Sequence, residues 1–390
     1  MNILIASDVF FPDGHGGGAR VPWEIATGLA GRGHSIYYLT RRSSDQPSHQ
    51  TINGINLIRY EWNSGFFIRS IMEARAYLRE IKNPIDVIHL HSPFTGLVLF
   101  KQPIGTNVPT FYFFHSPWAE EYEIRQCFYK RSIFFYKPKS IIRSFIEKIL
   151  IKNSQCILIL SEFMEIRYLR LYKNLQKKII RISGAVDIQK FNPKYTPLQA
   201  RKKLGWPINS IHLLTVRNLE ARMGLENLLS ALSTLKKKYS EKLHLTLIGD
   251  GTLHYYLKDL TKQLNLESCV TFLGKVSDDI LAKCYLAADM FVLPTRELEG
   301  FGLVTVEALA SGCPVVATPV GGTIEILKPF DNSLLARGTE PDDISMVIEN
   351  LLERRSEWPE LRRKCTQYAR SNYSWDSIVN IIEESNIQLL

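Results

Sequence analysis

Two doubly wound α/β domains in tandem are what this sequence predicts, and three observations carry the prediction. Short, fully apolar runs of strand length alternate with longer helical segments. A glycine-rich turn joins the first run to the first helix. The alternation lapses over a polar, proline-containing stretch at 191–207 and then restarts. A chain of 390 residues has room for two to three domains at roughly 150 residues each.

The apolar run at 3–6 leads into GHGGGAR at 14–20. Val21, Ile25 and Leu29 follow at helical spacing, closed by Gly33. SIYYLT at 35–40 reads as a second strand, so a βαβ unit opens the chain. DVIHLH (86–91), TFYFFH (110–115) and CILILS (156–161) read as buried parallel strands, with helices around 68–82 and 141–152. After the lapse, HLLTV (212–216) is a strand and a helix follows near 224–238. LHLTLIGDG, VTFLG, DMFVLPT and PVVAT continue the second series. The domain boundary is expected at 195/196.

Composition narrows the class. Hydrophobic residues make up 45% and charged residues 22%, the balance of a folded globular protein. The six cysteines are scattered without a CxxC pair, which argues against a disulfide framework or zinc site and for a reducing compartment. The first residues meet Asp8 without a basic leader, and no apolar run approaches the roughly 18–20 residues that span a bilayer. The expectation is a cytoplasmic protein, either free or peripheral on the inner face of a membrane. The net charge of +9 is uneven: residues 1–195 hold 26 Lys/Arg against 15 Asp/Glu, and the remainder 22 against 24. Residues 125–152 hold eight basic side chains and one acid, Glu147, interleaved with Phe128, Tyr129, Ile133, Phe134, Phe135, Tyr136, Ile141 and Ile142. Such a segment is either a solvated face or a surface for an anionic membrane. No nucleic-acid-binding module accompanies the charge.

ELEGFGLVTVEALASGCPVVAT, at 297–318, is the segment richest in chemistry. A helix starting after Gly302 aims unpaired backbone amides outward, which suits a pyrophosphate, and the small Gly300 and Gly302 permit close approach. Glu307, about a turn into that helix, can take two hydrogen bonds from ribose hydroxyls. Glu299, in the loop, can do the same for a sugar, because a carboxylate offers two acceptor oxygens and no competing donor. Asp250 in GDG reads as a turn residue and His89 as a structural histidine. Asp8 and Asp13 either meet an acceptor or shape the first turn.

With the pair Glu299 and Glu307 eight apart inside EGFGLVTVEALASGCPVVATPVGG, the chain resembles the retaining glycosyltransferases of family four. DVFFPDGHGGGAR, DVIHLHSP, FHSPWAEEY, LSEFM, GAVDIQKFNP, LIGDG, FLGKV and YLAADMFVLPT follow in the family's order, so the resemblance covers nearly the whole chain. It implies the GT-B fold, two facing Rossmann-like domains with a deep cleft, and a last helix at about 374–390 that returns to the first domain. It also implies roles. Glu307 would hold the ribose of a nucleotide-diphosphate sugar and Glu299 the transferred hexosyl group. Phe301, Gly302, Leu303 and Val304 would line sugar and diphosphate. Gly249 and the stretch from Leu273 through Lys275 to Val276 would flank the base. His115 would face the sugar, and Gly16, Gly17 and Gly18 would approach the diphosphate. No metal or other cofactor is implied, and amides with arginine would supply the positive charge.

The family often carries an Arg and a Lys in a pattern like GRL-x3-KG after the first strand of the second domain. Here VRNLEARMG (216–224) puts Asn218 and Met223 in those places, with Arg217 and Arg222 each one step aside. Arg222 is the favoured diphosphate cation. The acceptor is expected to be a glycan, glycolipid or small molecule, as in cell-surface polysaccharide synthesis. The alternative is a non-catalytic nucleotide-sugar-binding or membrane-associated scaffold of the same fold. A phosphorylase would need a pyridoxal-bearing lysine, and the Glu299–Glu307 segment has none. A dinucleotide oxidoreductase would need a tight GxGxxG with an acid about 20 residues on, which the opening lacks.

Overall fold

The computed structural model describes residues 1–14, 16–42, 45–62, 65, 67–100, 108–129, 132–239 and 242–390. His15 of the glycine turn and Lys130 and Arg131 of the basic stretch lie outside the described residues. The chain divides into two compact units: 1–126 with 130–184 and 375–390, and 127–129 with 185–374.

The first unit is built on an eight-stranded sheet, in the order β3-β4-β2-β1-β5-β6-β7-β8. The strands are β1 (Asn2–Ala6), β2 (Ser35–Arg42), β3 (His49–Ile52), β4 (Ile55–Glu61), β5 (Val87–Leu90), β6 (Thr110–Phe114), β7 (Cys156–Ile159) and β8 (Lys178–Arg181). All neighbours are parallel except β3 and β4. Helices α1 (Gly17–Gly31), α2 (Phe67–Arg79), α3 (Pro93–Leu99), α4 (Trp118–Phe128), α5 (Ile133–Asn153) and α6 (Glu162–Tyr172) connect them. Every residue of β5 and β7 is buried, as a sheet covered on both faces requires. The β3–β4 hairpin adds an antiparallel edge that the apolar runs do not announce. Its turn is Asn53-Gly54, both with positive φ (51° and 78°), the geometry this dipeptide favours between twisted strands. Helix α5 starts eight residues before the expected 141 and runs through Pro138. The carbonyl that loses its partner there belongs to Phe134, 85% exposed, so water can satisfy it.

The second unit holds a five-stranded, all-parallel sheet in the order β11-β10-β9-β12-β13. Its strands are β9 (Ile211–Val216), β10 (Leu243–Ile248), β11 (Val270–Gly274), β12 (Met290–Leu293) and β13 (Val315–Ala317). Its helices are α7 (Pro197–Leu204), α8 (Leu225–Tyr239), α9 (His254–Gln263), α10 (Asp278–Ala287), α11 (Leu303–Ala310), α12 (Thr323–Asp331), α13 (Pro341–Glu353) and α14 (Trp358–Asn372). This unit begins at Ala185, ahead of the 195/196 boundary drawn from the polar stretch. The intervening residues are anchored: Lys190 pairs with Asp278 at 2.9 Å, and the fully buried Phe191 packs on Tyr285.

The last helix, α15 (Trp375–Leu389), belongs to the first unit and packs on α1. Gly28 of α1 has no room for a side chain, because a Cβ there would meet Val379 of α15 at 2.5 Å. Arg32 donates to Asp376 (2.6 Å) and Glu383 (2.8 Å), and His89 pairs with the Asn386 amide oxygen at 2.9 Å.

Candidate active site

In the second unit the strand order reverses between β9 and β12, and the carboxyl ends of these strands form a topological switch point. The segments leaving both strands meet there. Arg217, just past β9, donates to the Glu299 carboxylate at 2.6 Å and to Thr295 Oγ1 at 2.9 Å, and Thr295 Oγ1 also lies 3.1 Å from the same carboxylate oxygen. Arg217 and Glu299 are each more than nine-tenths buried. Burial alone would push the Glu299 carboxyl up. The guanidinium charges of Arg217 and Arg222, with hydrogen bonds from Arg217 and Thr295, outweigh it and hold the group below its ordinary value. Burial pulls the Arg217 guanidinium below its own usual value, and its Nε is buried without a partner. Arg222 donates to the Leu298 carbonyl at 2.6 Å. Leu298 carries a positive φ of 53°, a strained conformation for a bulky side chain, directly before Glu299.

Gly302 caps α11 in the left-handed region (φ 98°). A Cβ there would press on Thr323 Oγ1 at 2.8 Å and Thr305 Oγ1 at 3.2 Å, two buried hydroxyls without partners. Leu303 and Val304 open the helix, whose first amides have no intrahelical acceptor. Glu307 lies one turn in, buried, and accepts from the Tyr285 hydroxyl at 3.1 Å. Phe301 buries its ring edge-on against Tyr373. The loop is braced from behind: a Cβ at Gly321 would strike the Glu299 carbonyl at 2.0 Å, and Gly322 N–H donates to that carbonyl.

Arg217 and Arg222, rather than Asn218 and Met223, are the side chains the structure brings to the Leu298–Glu299 loop. Arg217 and Arg222 are five apart, the spacing of Arg and Lys in the family pattern, and both reach the Leu298–Glu299 loop. Asn218 is exposed, and the Met223 side chain is buried with its sulfur beside Arg217. The glycine is what moves by one place: Gly224 (φ 68°) sits against the Pro294 carbonyl. At the other strand ends, Gly249 (φ 129°) lies against the Arg217 carbonyl, while Leu273 and Lys275 are exposed and Val276 is half-buried. Asp250 accepts from Gly251 N–H, a turn contact.

In the first unit, Gly16 (φ 94°) caps α1, and Gly16, Gly17 and Gly18 are all exposed. His115 follows β6, and its Nε2 lies 3.1 Å from His91 Nδ1. Burial pushes both His115 and His89 down to about 4, so they are neutral at pH 7. His89 and His91 are both buried. Asp8 accepts from Thr95 and Arg41, and Asp13 from Arg59, so both acids hold the local turn together. Thr295, Tyr285, Thr305 and Thr323 escaped the sequence reading. Tyr285 matters through Glu307, Thr295 through Arg217, and Thr305 and Thr323 through their place around Gly302, and no local spacing marks any of them.

Residues 198–372 match the family described as glycosyl transferases group 1, and residues 15–190 match glycosyltransferase family 4. The chain is 27% identical to an uncharacterized glycosyltransferase of Methanocaldococcus jannaschii, over 91% of this chain and 90% of the relative. Among solved structures it is similar to the sucrose-phosphate synthase of Thermosynechococcus elongatus, with a TM-score of 0.85 at 22% identity, covering 100% of this chain and 98% of that one. It is also similar to Anabaena HepE in complex with UDP-glucose, with a TM-score of 0.77 at 17% identity and 99% of each chain covered.

Proposed function

The chain belongs to the family-four glycosyltransferases of GT-B fold, and on that premise we propose that it moves a hexosyl group from a nucleotide-diphosphate sugar to an acceptor with retention of anomeric configuration and without a metal. In this reading Glu307 holds the ribose and Glu299 the hexose. Phe301, Gly302, Leu303 and Val304 present amides to sugar and diphosphate, with Arg217 and Arg222 supplying positive charge. Gly249, Leu273, Lys275 and Val276 flank the base, Asn218 lines the donor site beside Arg217, and His115 and Gly16 to Gly18 serve the sugar and diphosphate from the first unit. The anomeric carbon's bond to the diphosphate oxygen breaks as its bond to the acceptor oxygen forms on the same face, and the acceptor proton passes to the departing diphosphate. Charge grows on that leaving group, so fixed amides and guanidinium groups lower the barrier most.

One observation carries the reading: a buried arginine–carboxylate pair with a strained backbone and a glycine-capped helix start, all at the switch point of one sheet. A thermal-shift panel of UDP-, GDP- and ADP-sugars tests it, since the right donor stabilises by RT ln(1 + [L]/Kd). Transfer or hydrolysis of the stabilising donor should be lost in Glu299→Ala and in the isosteric Glu299→Gln. Silence across the panel, or full activity in both variants, would refute the assignment and favour the scaffold alternative.

The same reading includes a cytoplasmic enzyme that meets an anionic membrane through 125–152 to reach a glycan or glycolipid acceptor. Helix α5 exposes Phe134, Phe135, Ile141, Ile142 and Phe145 among Lys137, Lys139 and Lys148. Among the described residues no helix is long and apolar enough to cross a membrane. Each basic residue at the surface contributes on the order of 1 kcal/mol. Reversing Lys137, Lys139 and Lys148 together should abolish co-sedimentation with phosphatidylserine liposomes, and unchanged sedimentation would remove this part of the reading.

A further inference from the structure

Along the carboxyl edge of the first unit's sheet, the segments after β4, β5 and β6 bring three half-buried aromatic rings into a row. Trp62 and Phe94 lie 5.1 Å apart between centroids, and Phe94 meets Trp118 edge-on at 4.4 Å. Phe94 stands three residues beyond His91 and Trp118 three beyond His115, so the loops that join the two imidazoles also join the two rings. An arginine covers each end. Arg41 lies 4.3 Å over Trp62 and is neutralised by Asp8 at 2.7 Å.

Arg143, on α5, differs from Arg41. Its guanidinium carbon lies 3.8 Å from the Tyr122 ring centroid and 5.1 Å from that of Trp118. Its one hydrogen bond is to the Lys139 carbonyl, and among the described residues no carboxylate pairs with it. Neighbouring acids are committed elsewhere: Glu120 to Arg167, Glu123 to Lys137 and Ser140, and Glu147 to Tyr112 and Tyr172. Burial depresses its pKa, so the cation is partly stripped of water as well as unpaired. Flat rings match the C–H face of a sugar, and an unpaired planar guanidinium matches a phosphate edge-on.

We infer that the Trp62–Phe94–Trp118 row with Arg143 is the acceptor subsite, and that the acceptor is a saccharide bearing a phosphate. The inference rests on the transferase reading and adds the chemical class of its acceptor. Free and lipid-linked sugar phosphates share that chemistry. The segment's charge, eight bases against one buried acid, favours a doubly charged group over a neutral sugar.

Titration followed by tryptophan fluorescence distinguishes the outcomes. The probes are glucose 6-phosphate and fructose 6-phosphate, their unphosphorylated counterparts, and phosphatidylcholine vesicles with or without polyprenyl-diphosphate glucose. The wild type should bind a phosphorylated probe at least about tenfold more tightly than its neutral partner. Arg143→Met should erase that preference, Arg143→Lys should keep part of it, and Lys173→Met, exposed just after α6, should keep all of it. A response to the soluble phosphates identifies a free acceptor, and a response to the doped vesicles alone identifies a lipid-linked one. Equal binding of phosphorylated and neutral probes, or an unaltered preference in a folded Arg143→Met, overturns the inference. Failure here with an intact donor thermal shift leaves the transferase reading standing, whereas loss of the donor shift in the wild type sinks that reading.

Discussion

Arg217 and Glu299 illustrate how unequal the two halves of a buried pair become when one is removed. Arg217→Met strands a carboxylate that is more than nine-tenths buried and normally relies on two guanidinium groups. Its loss should cost about 3–5 kcal/mol of unfolding free energy. Adding Glu299→Gln removes the stranded charge, so the double variant should unfold at higher denaturant than Arg217→Met alone while staying inactive. A double-mutant cycle by urea titration measures the difference, and strict additivity would show that the pair does not couple. Gly321→Ala probes the same loop from behind. Its Cβ would sit 2.0 Å from the Glu299 carbonyl, at a φ of 62° that alanine resists. Donor binding should therefore weaken although residue 321 carries no functional side chain.

Between elements, Glu147 is the joint of the first unit. From α5 its carboxylate accepts from Tyr112 on β6 (2.9 Å), Tyr172 on α6 (2.7 Å) and the Trp118 N–H that starts α4 (3.3 Å). Burial raises it to about 7, against the donors that favour its charged form. The native state therefore binds more protons than the unfolded chain between about pH 4.5 and 7, and this contribution fades as pH rises through 7. His115 and His89, held near 4, work in the opposite direction: their contribution is complete above 6.5 and drains away as pH falls toward 4. Glu147→Gln should flatten the loss of thermal stability between pH 5 and 8 that the first effect produces, and an unchanged slope would show that Glu147 does not titrate there. Legibility followed the range of each interaction. The parallel strands were readable because burial on both faces writes itself into consecutive apolar residues. Strand β8 was not, because both its ends are exposed and only Ile179 and Ile180 are apolar. Glu299 and Glu307 were readable because one loop and one helix turn relate them. Their partners were not, since Arg217 lies 82 residues from Glu299 and Tyr285 reaches Glu307 from another helix. Which of the arginines reach that loop was not legible for a related reason: the backbone around Gly224 decides it, and spacing alone cannot.

For the whole molecule, chain order and spatial order part company at the C-terminus, because the chain completes the second unit and then returns to the first. Helix α15 supplies Ile378, Val379 and Ile382, all buried, and places Asn386 against His89 inside the sheet's covering layer. It also accepts the ion pairs of Arg32 and the contact of His34 to Glu383 at 2.7 Å. Each fully buried aliphatic side chain contributes about 1.5–3 kcal/mol, so three of them rival the entire stability of a typical domain. A chain ending at Ser374 would leave α1 with a bare apolar stripe and His89 with a buried ring nitrogen and no acceptor. Amide hydrogen exchange on that truncated chain should show protection falling throughout β1, β5 and α1. Strands β9, β10 and β12, whose unit keeps its own sheet and core, should exchange as slowly as in the full chain. Uniform loss in both units would mean that they fold as one cooperative body, and unchanged protection in β1 and β5 would mean that α15 is an ornament on a unit complete without it.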